Sequence, residues 1–280
     1  MGIAMPGRLL EIRGNVLFVG NHEILHINSD NGEIIKKTDI SYIDKLNELD
    51  VVDITDVTVT SENQLMLCSQ LCWKIYITSF ETNPPGNYEP YYRAVEVDIE
   101  YPANFKPRFI VYHPIKNLAF VSPWENREEI HIGCLDMKDY SLKPIGPEIG
   151  VVGGIQLLHN KLWIGAPYAN EVRILDIDSD AKDWTDIIKL HEMRPYLISA
   201  FEDNMYVLAG VGDQDDFVVG NIIDRQLRLI GETNAWSPEG FIANKSGCIV
   251  VNLPEEMEYW NIKCINNNKV LWERNIPYSI

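Results

Sequence analysis

Short runs of four or five apolar residues, each opened by a polar turn residue, recur along the whole chain. They are Asn15-Val16-Leu17-Phe18-Val19-Gly20, Asn63-Gln64-Leu65-Met66-Leu67-Cys68, Asn117-Leu118-Ala119-Phe120-Val121-Ser122, Asn160-Lys161-Leu162-Trp163-Ile164-Gly165, Asn204-Met205-Tyr206-Val207-Leu208-Ala209 and Ser246-Gly247-Cys248-Ile249-Val250-Val251. Aligning Leu17, Leu65, Leu118, Leu162, Tyr206 and Cys248 gives intervals of 48, 53, 44, 44 and 42, so six units fill the 280 residues. Apolar runs this short, bounded by turn formers, predict strands.

The same companions surround each run. A strand precedes it, over 8–12, 56–60, 108–112, 154–158, 196–200 and 240–244. A third strand with alternating side chains follows at 24–27, 74–78, 129–134, 171–177, 217–223 and 258–265, then a fourth at 33–37, 92–99, 142–145, 186–190, 226–230 and 269–273. Asp30-Asn31-Gly32 and Asn266-Asn267-Asn268 suit tight hairpin turns, because Asn and Gly tolerate positive φ. Helical periodicity is confined to Ile43–Leu49. Four strands per unit of about 45 residues predict propeller blades. The expectation is an all-β, six-bladed β-propeller of four-stranded antiparallel blades, one domain over 1–280, with blades near 7–40, 50–100, 105–146, 150–191, 194–232 and 238–275. A sandwich gives no reason for a sixfold four-strand repeat. Asn275–Ile280 is left as a possible extra strand for the first blade, so the manner of ring closure stays open.

Two stretches carry a family resemblance. Ser237-Pro238-Glu239-Gly240-Phe241-Ile242-Ala243, followed by Ser246–Val251, resembles the blade opening of NHL-repeat and TolB-like six-bladed propellers; Asn160–Ile177 is similar to the YVTN form of that blade. The resemblance implies the ring and no single activity, since the superfold hosts lyases, lactonases, lectins and scaffolds. Metal-dependent lactonases of this kind line the channel with Glu, Asn and Asp. The spacing around Glu239 and Asn252 departs from that set, so no role is carried over to them.

Charge narrows the partners. The chain has 24 basic and 41 acidic residues, net −17, and no Lys/Arg run exceeds two. A phosphate backbone or an anionic membrane is repelled, and no apolar run reaches the ~20 residues of a membrane span. Five cysteines (Cys68, Cys72, Cys134, Cys248, Cys264) make no disulfide framework and are expected as buried thiols. With no leader-like start, a cytoplasmic location is expected; a removed leader would change that to secreted.

In a propeller the loops joining strands two and three share one face with the blade-to-blade connections. Here they hold Glu23, Glu125, Glu128, Glu129, Glu171, Asp213, Asp215, Asp216, Glu255, Glu256 and Glu258, eleven carboxylates against one basic residue, Arg127, a net −10. Such a face steers cations or a basic partner, or serves as a solvated rim. Trp124, Tyr168 and Trp236 fall in the same ring and suit a sugar face or a Lys/Arg side chain, or cap the core. An insertion over 80–92 crowds Tyr88, Tyr91 and Tyr92 behind Pro84-Pro85-Gly86 and forms either a contact site or a lid on its own blade.

Catalytic patterns are sparse. Asp213, Asp215 and Asp216 form an all-oxygen loop for a hard cation such as calcium. Asp176-Ile177-Asp178-Ser179-Asp180 begins like a calcium loop, but Ala181 stands where the turn glycine belongs. Neither a G-x-S-x-G elbow nor an H-E-x-x-H pair is present, and His22 and His191, the histidines on the loop face, have no sequence-fixed partner. Three functions follow in order. The first is a non-enzymatic propeller without cofactor that binds a basic protein or peptide through its acidic loop face. The second is a metal-dependent hydrolase, lactonase or lyase with a divalent cation at the channel mouth; the third is a carbohydrate-binding propeller. Oligomeric state is not specified by the sequence.

Overall fold

In the computed structural model the residues described are 8–12, 15–20, 23–39, 54–62, 64–69, 74–79, 95–97, 105–124, 130–178, 182–212, 216–233, 238–252 and 259–277. Every apolar run opens the second strand of a blade. Blade one is β1 (Arg8–Ile12), β2 (Asn15–Val19), β3 (Glu23–Asn28) and β4 (Ile34–Asp39); blade two is β5 (Ile54–Val59), β6 (Gln64–Ser69), β7 (Lys74–Ser79) and β8 (Val95–Val97). Blade three is β9 (Pro107–His113), β10 (Leu118–Pro123), β11 (Ile132–Asp136) and β12 (Leu142–Ile145); blade four is β13 (Gly154–Leu158), β14 (Lys161–Ala166), β15 (Glu171–Asp176) and β16 (Asp186–Lys189). Blade five is β17 (Met193–Phe201), β18 (Asn204–Val211), β19 (Phe217–Ile223) and β20 (Gln226–Glu232); blade six is β21 (Pro238–Asn244), β22 (Gly247–Asn252), β23 (Tyr259–Asn266) and β24 (Lys269–Pro277).

Each blade is an antiparallel sheet of consecutive strands, and the six form the ring of a six-bladed propeller. The apolar runs are continuous rather than alternating because both faces of a second strand are covered by neighbouring blades. In β2, Val16 and Phe18 pack against Ile249, Val251 and Trp260 of blade six, while Leu17 and Val19 pack against Leu65, Leu67 and Tyr76 of blade two. In β6, Leu65 and Leu67 face blade one, whereas Met66 and Cys68 face Ile110, Tyr112 and Ala119 of blade three. The core is thus a set of seams between blades, with period-2 alternation distributing each strand between two of them.

The innermost strands leave backbone N–H groups without a ladder partner on the channel side. Side chains of the preceding blade serve them: Asp56 Oδ2 accepts from Ile110 N at 2.8 Å, Thr58 Oγ1 from Tyr112 N at 3.3 Å, and Ser199 Oγ from Ala243 N at 3.0 Å. The two-residue step from Asp56 to Thr58 matches the step from Ile110 to Tyr112, so the side chains continue the hydrogen-bond ladder across the seam.

Four inner strands carry a β-bulge near their first residues. The extra residue is Thr55 in β5, Arg108 in β9, Tyr196 in β17 and Glu239 in β21. A proline precedes three of them, at 107, 195 and 238, where no N–H is asked of the ladder.

Among the described residues no blade combines strands from the two ends of the chain. Asn275 to Pro277 continue β24 inside blade six, pairing with β23, rather than adding to blade one. The last seam is fastened by side chains: Trp272 Nε1 donates to Ser29 O at 2.9 Å, Arg274 Nη2 to Asn31 O at 2.9 Å, and Ser246 Oγ to Asp30 Oδ1 at 2.8 Å. Gly32 has φ +71° and its Cα lies under the indole, so an added Cβ would sit 2.5 Å from Trp272 Cε3.

Several boundaries differ from the expected ones. The third strand of blade three runs to Asp136 instead of Cys134, because the turn that ends it is set by Asp136 Oδ1 accepting Lys138 N and by Tyr140 at φ 59°. In blade one the fourth strand extends to Asp39, past the expected end at Lys37, with Thr38 buried. The third strand of blade four stops at Asp176, whose Oδ1 caps Asp178 N. Asp178 in turn bonds Asn160 within blade four and Lys116 across the seam to blade three, so its carboxylate locks the two blades together. The helical segment Ile43–Leu49 and the insertion over 80–92 lie outside the described residues.

The closing seam is testable by a mutant cycle. Trp272→Ala should cost about 3–5 kcal/mol and Gly32→Ala about 1–3 kcal/mol through overpacking and positive φ. In the Trp272→Ala background Gly32→Ala should cost much less, since the indole it strikes is gone. Denaturant melts of the four proteins measure this coupling, and additive costs would disprove the contact.

Candidate functional site

Antiparallel order places the loops between second and third strands, and the connections between blades, at one end of the ring. Of the residues expected there, Glu23, Trp124, Tyr168, Glu171 and Asp216 are described, and the strand ends bring all five to that face. Glu125, Arg127, Glu128, Asp213, Asp215, Trp236, Glu255 and Glu256 lie outside the described residues, as do Tyr88, Tyr91 and Tyr92.

The described acids differ in state. Glu23 opens β3 and its Oε2 is 3.5 Å from Lys37 Nζ on the outer strand. Asp216 is exposed ahead of β19, where its carbonyl accepts Val211 N at 2.9 Å and closes the loop base. Glu171 opens β15, is only 16% exposed, and accepts from Arg173 Nε at 3.2 Å. A two-residue step on a strand puts the two side chains on one side, so this pair follows from alternation alone.

Tyr168 is the most projecting aromatic among the described residues, 76% exposed. It sits at the centre of a single 3-10 turn, Pro167–Ala169, between β14 and β15. Pro167 is buried and fixes the turn's entry; Asn170, in the left-handed region at φ 54°, ends it and returns its N–H to Pro167 O. Asn170 O then accepts Leu190 N at 2.8 Å, tying the turn to the end of β16. The tyrosine therefore stands on a rigid base, not on a loose loop.

Trp124 is placed differently. Its N–H donates to Lys106 O at 2.8 Å, and the Arg108 guanidinium lies 4.2 Å from its ring centre and 4.8 Å from that of Phe109. Arg108 Nη1 also donates to Val152 O at 3.0 Å. One face of Trp124 is thus covered by the chain's own arginine, which the bulge in β9 turns towards the loop face. On the far side of the same segment, Arg173 stacks on Trp184 at 5.5 Å and lines a cleft of about 220 Å³ with Gly150, Val151, Ala166, Tyr168 and Ala169. Arg108 and Arg173 thus both reach the segment that joins blades three and four. Sequence reasoning missed both arginines, because charge counted by loop ignores strand residues that end at the same face.

The central channel holds a cavity of about 350 Å³ lined by the inner strands, with Glu11, Asp56, Thr58, Gln156 and Ser199 as its polar side chains. Asp56, Thr58 and Ser199 are engaged by the neighbouring blade as described, and Gln156 Oε1 accepts Leu157 N at 2.9 Å. Among the described residues no three of His, Cys, Asp and Glu converge as metal ligands. His113 bonds Asn160 at 2.7 Å, His131 bonds Gly146 O at 2.9 Å, and His159 pairs with Asp203 at 3.3 Å. His191 occupies a turn at φ 56°, and His22 lies outside the described residues.

Cys134, Cys248 and Cys264 are free thiols, and Cys68 is buried. Burial pushes Cys248 up to about 12 and Cys264 up to about 11, with Cys264 and Asp30 adding smaller repulsions respectively. Neither is a nucleophile at neutral pH.

No protein-family model matches the sequence, and no curated protein matches it significantly. Solved structures do. Virginiamycin B lyase from Staphylococcus aureus superimposes with TM-score 0.61 at 15% identity, over 99% of this chain and 85% of the lyase. The β-propeller domain of Cps50 (Swd1) from Myceliophteria thermophila gives 0.55 at 10%, over 94% and 96%, and the WD40 domain of Pan2 from Neurospora crassa 0.56 at 8%, over 99% and 80%. At these identities the likeness is one of fold. No helix among the described residues is long and apolar enough to cross a membrane.

Thiol chemistry checks the burial. Under native conditions at pH 8, Cys248 and Cys264 should resist iodoacetamide and become alkylated only on unfolding, as read by peptide mass mapping; labelling of the folded protein at either would contradict their placement.

Proposed function

We propose that this protein is a binding propeller whose loop face receives a basic protein or peptide, without chemistry of its own. The observation that carries the reading is Tyr168, 76% exposed on a proline-anchored turn beside Glu171 in a chain of net charge −17. A fixed tyrosine offers a large contact area at small entropic cost and a π-face for a Lys or Arg side chain. The acidic loops, Asp213, Asp215, Glu255 and Glu256 among them, would supply long-range attraction to the same partner. WD40 domains among the fold relatives are consistent with such a use of the ring.

Fluorescence anisotropy with a labelled Lys/Arg-rich peptide tests this. Affinity should fall by about tenfold or more when salt is raised from low to above-physiological ionic strength, since exposed charges are screened within ~8 Å at 0.15 M. Tyr168→Ala should weaken binding by a further ~5- to 30-fold, equivalent to about 1–2 kcal/mol, with an unchanged melting temperature. Absence of binding, or binding indifferent to both salt and Tyr168, would refute it.

A second reading, a metal-dependent lyase or hydrolase, rests on the likeness to streptogramin lyases, one of which superimposes with TM-score 0.64 at 13% identity. A melt in EDTA and then in excess calcium separates the two. The binding reading expects no shift; a rise of several degrees with metal would mark a cation site and favour the enzyme.

A further inference from the structure

We propose that the cleft between blades three and four binds a carboxylate, with Arg173 as its anchor. The guanidinium is preset. Its Nε is held by Glu171 Oε2 at 3.2 Å and its plane rests near Trp184 at 5.5 Å, while Nη1 and Nη2 have no partner among the described residues. The side chain is 22% exposed, so the free end of the fork reaches the cleft and the stem does not move freely. Two parallel N–H donors in a plane match the two oxygens of a carboxylate.

The walls agree with that chemistry. Gly150 and Val151 also line the cleft, and their N–H groups make no hydrogen bond among the described residues, so they remain backbone donors beside it. A volume of about 220 Å³ takes a headgroup rather than a whole cofactor. Glu171, bound to the far edge of the guanidinium, offsets part of its charge and disfavours a dianionic phosphate relative to a monoanion. Tyr168 and Ala169 form the rim, where the apolar body attached to the carboxylate would lie. The free carboxylate at the end of a peptide and that of a small organic acid share this chemistry.

The experiment titrates acetate, N-acetylglycine and the neutral N-acetylglycinamide into the full chain labelled with ¹⁵N, following the Arg173 Nε–H and the backbone amides of Gly150, Val151 and Tyr168. Both carboxylates should shift these signals saturably and the amide should not. Tighter binding of N-acetylglycine than acetate identifies a peptide terminus as the source; equal binding identifies any small carboxylic acid. Arg173→Gln should weaken binding at least ~10-fold, and Arg173→Lys, which keeps the charge but loses the fork, should weaken it several-fold with an unchanged near-UV circular dichroism spectrum. The proposal is overturned by shifts that never saturate, by equal response to the amide, or by unaltered affinity in both variants. None of the probes carries a positive charge, so its failure is distinct from failure of the basic-partner reading.

Discussion

A single blade of this ring cannot cover itself. Its second strand is apolar on both sides, and its inner edge faces a channel instead of another strand. Each face is buried only by the next blade, so stability depends on six seams closing together. Val16 and Phe18 have nothing to pack on until Ile249, Val251 and Trp260 arrive from the other end of the chain. The polar ledger follows the same rule: Asp56, Thr58 and Ser199 satisfy the inner edge of the blade that comes after them. Where chain continuity does not join the blades, at the seam of six and one, Trp272 over Gly32 takes over.

That constraint gives the loop face its rigidity. Strands held on both sides end at fixed points, and a short turn between them inherits the precision of the sheet. Tyr168 is held out by Pro167 and Asn170, each anchored to a strand of blade four or its extension. The bulges act oppositely to the turns: they interrupt the ladder for one residue and re-aim a side chain, as Arg108 shows by reaching Trp124 and Val152. Arg108 and Arg173 then meet the segment between blades three and four, the first through Val152 and the second through the cleft at Gly150 and Val151.

Much of this was readable in the chain. The runs around Leu17, Leu65, Leu118, Leu162, Tyr206 and Cys248 all became second strands, because a doubly covered strand has to be apolar without interruption. The pairing of Glu171 with Arg173 was present in the alternation too. The extra residues Thr55, Arg108, Tyr196 and Glu239 were not, since a period-2 pattern tracks side chains and a bulge changes the backbone count against its partner. Nor was Arg108 over Trp124 legible: the two meet because Phe109 is paired with Ser122, and that register comes only from the folded sheet. The expected ring of carboxylates was derived from loops alone, which is why Arg108 and Arg173, both on strands, stayed out of that count.

The way the ring closes also has a consequence in time. Because every blade uses consecutive strands, its ladder joins residues close in sequence and can form as soon as a blade's length of chain is available. The contact between Trp272 and Ser29 spans 243 residues and has to wait for all of them. Folding is thereby divided into local steps, each leaving two apolar faces bare, and one distant step that covers the last pair. Until that step the growing stack has two sticky ends, and the interval before Trp272 settles on Gly32 is when the chain is most exposed to association with other molecules.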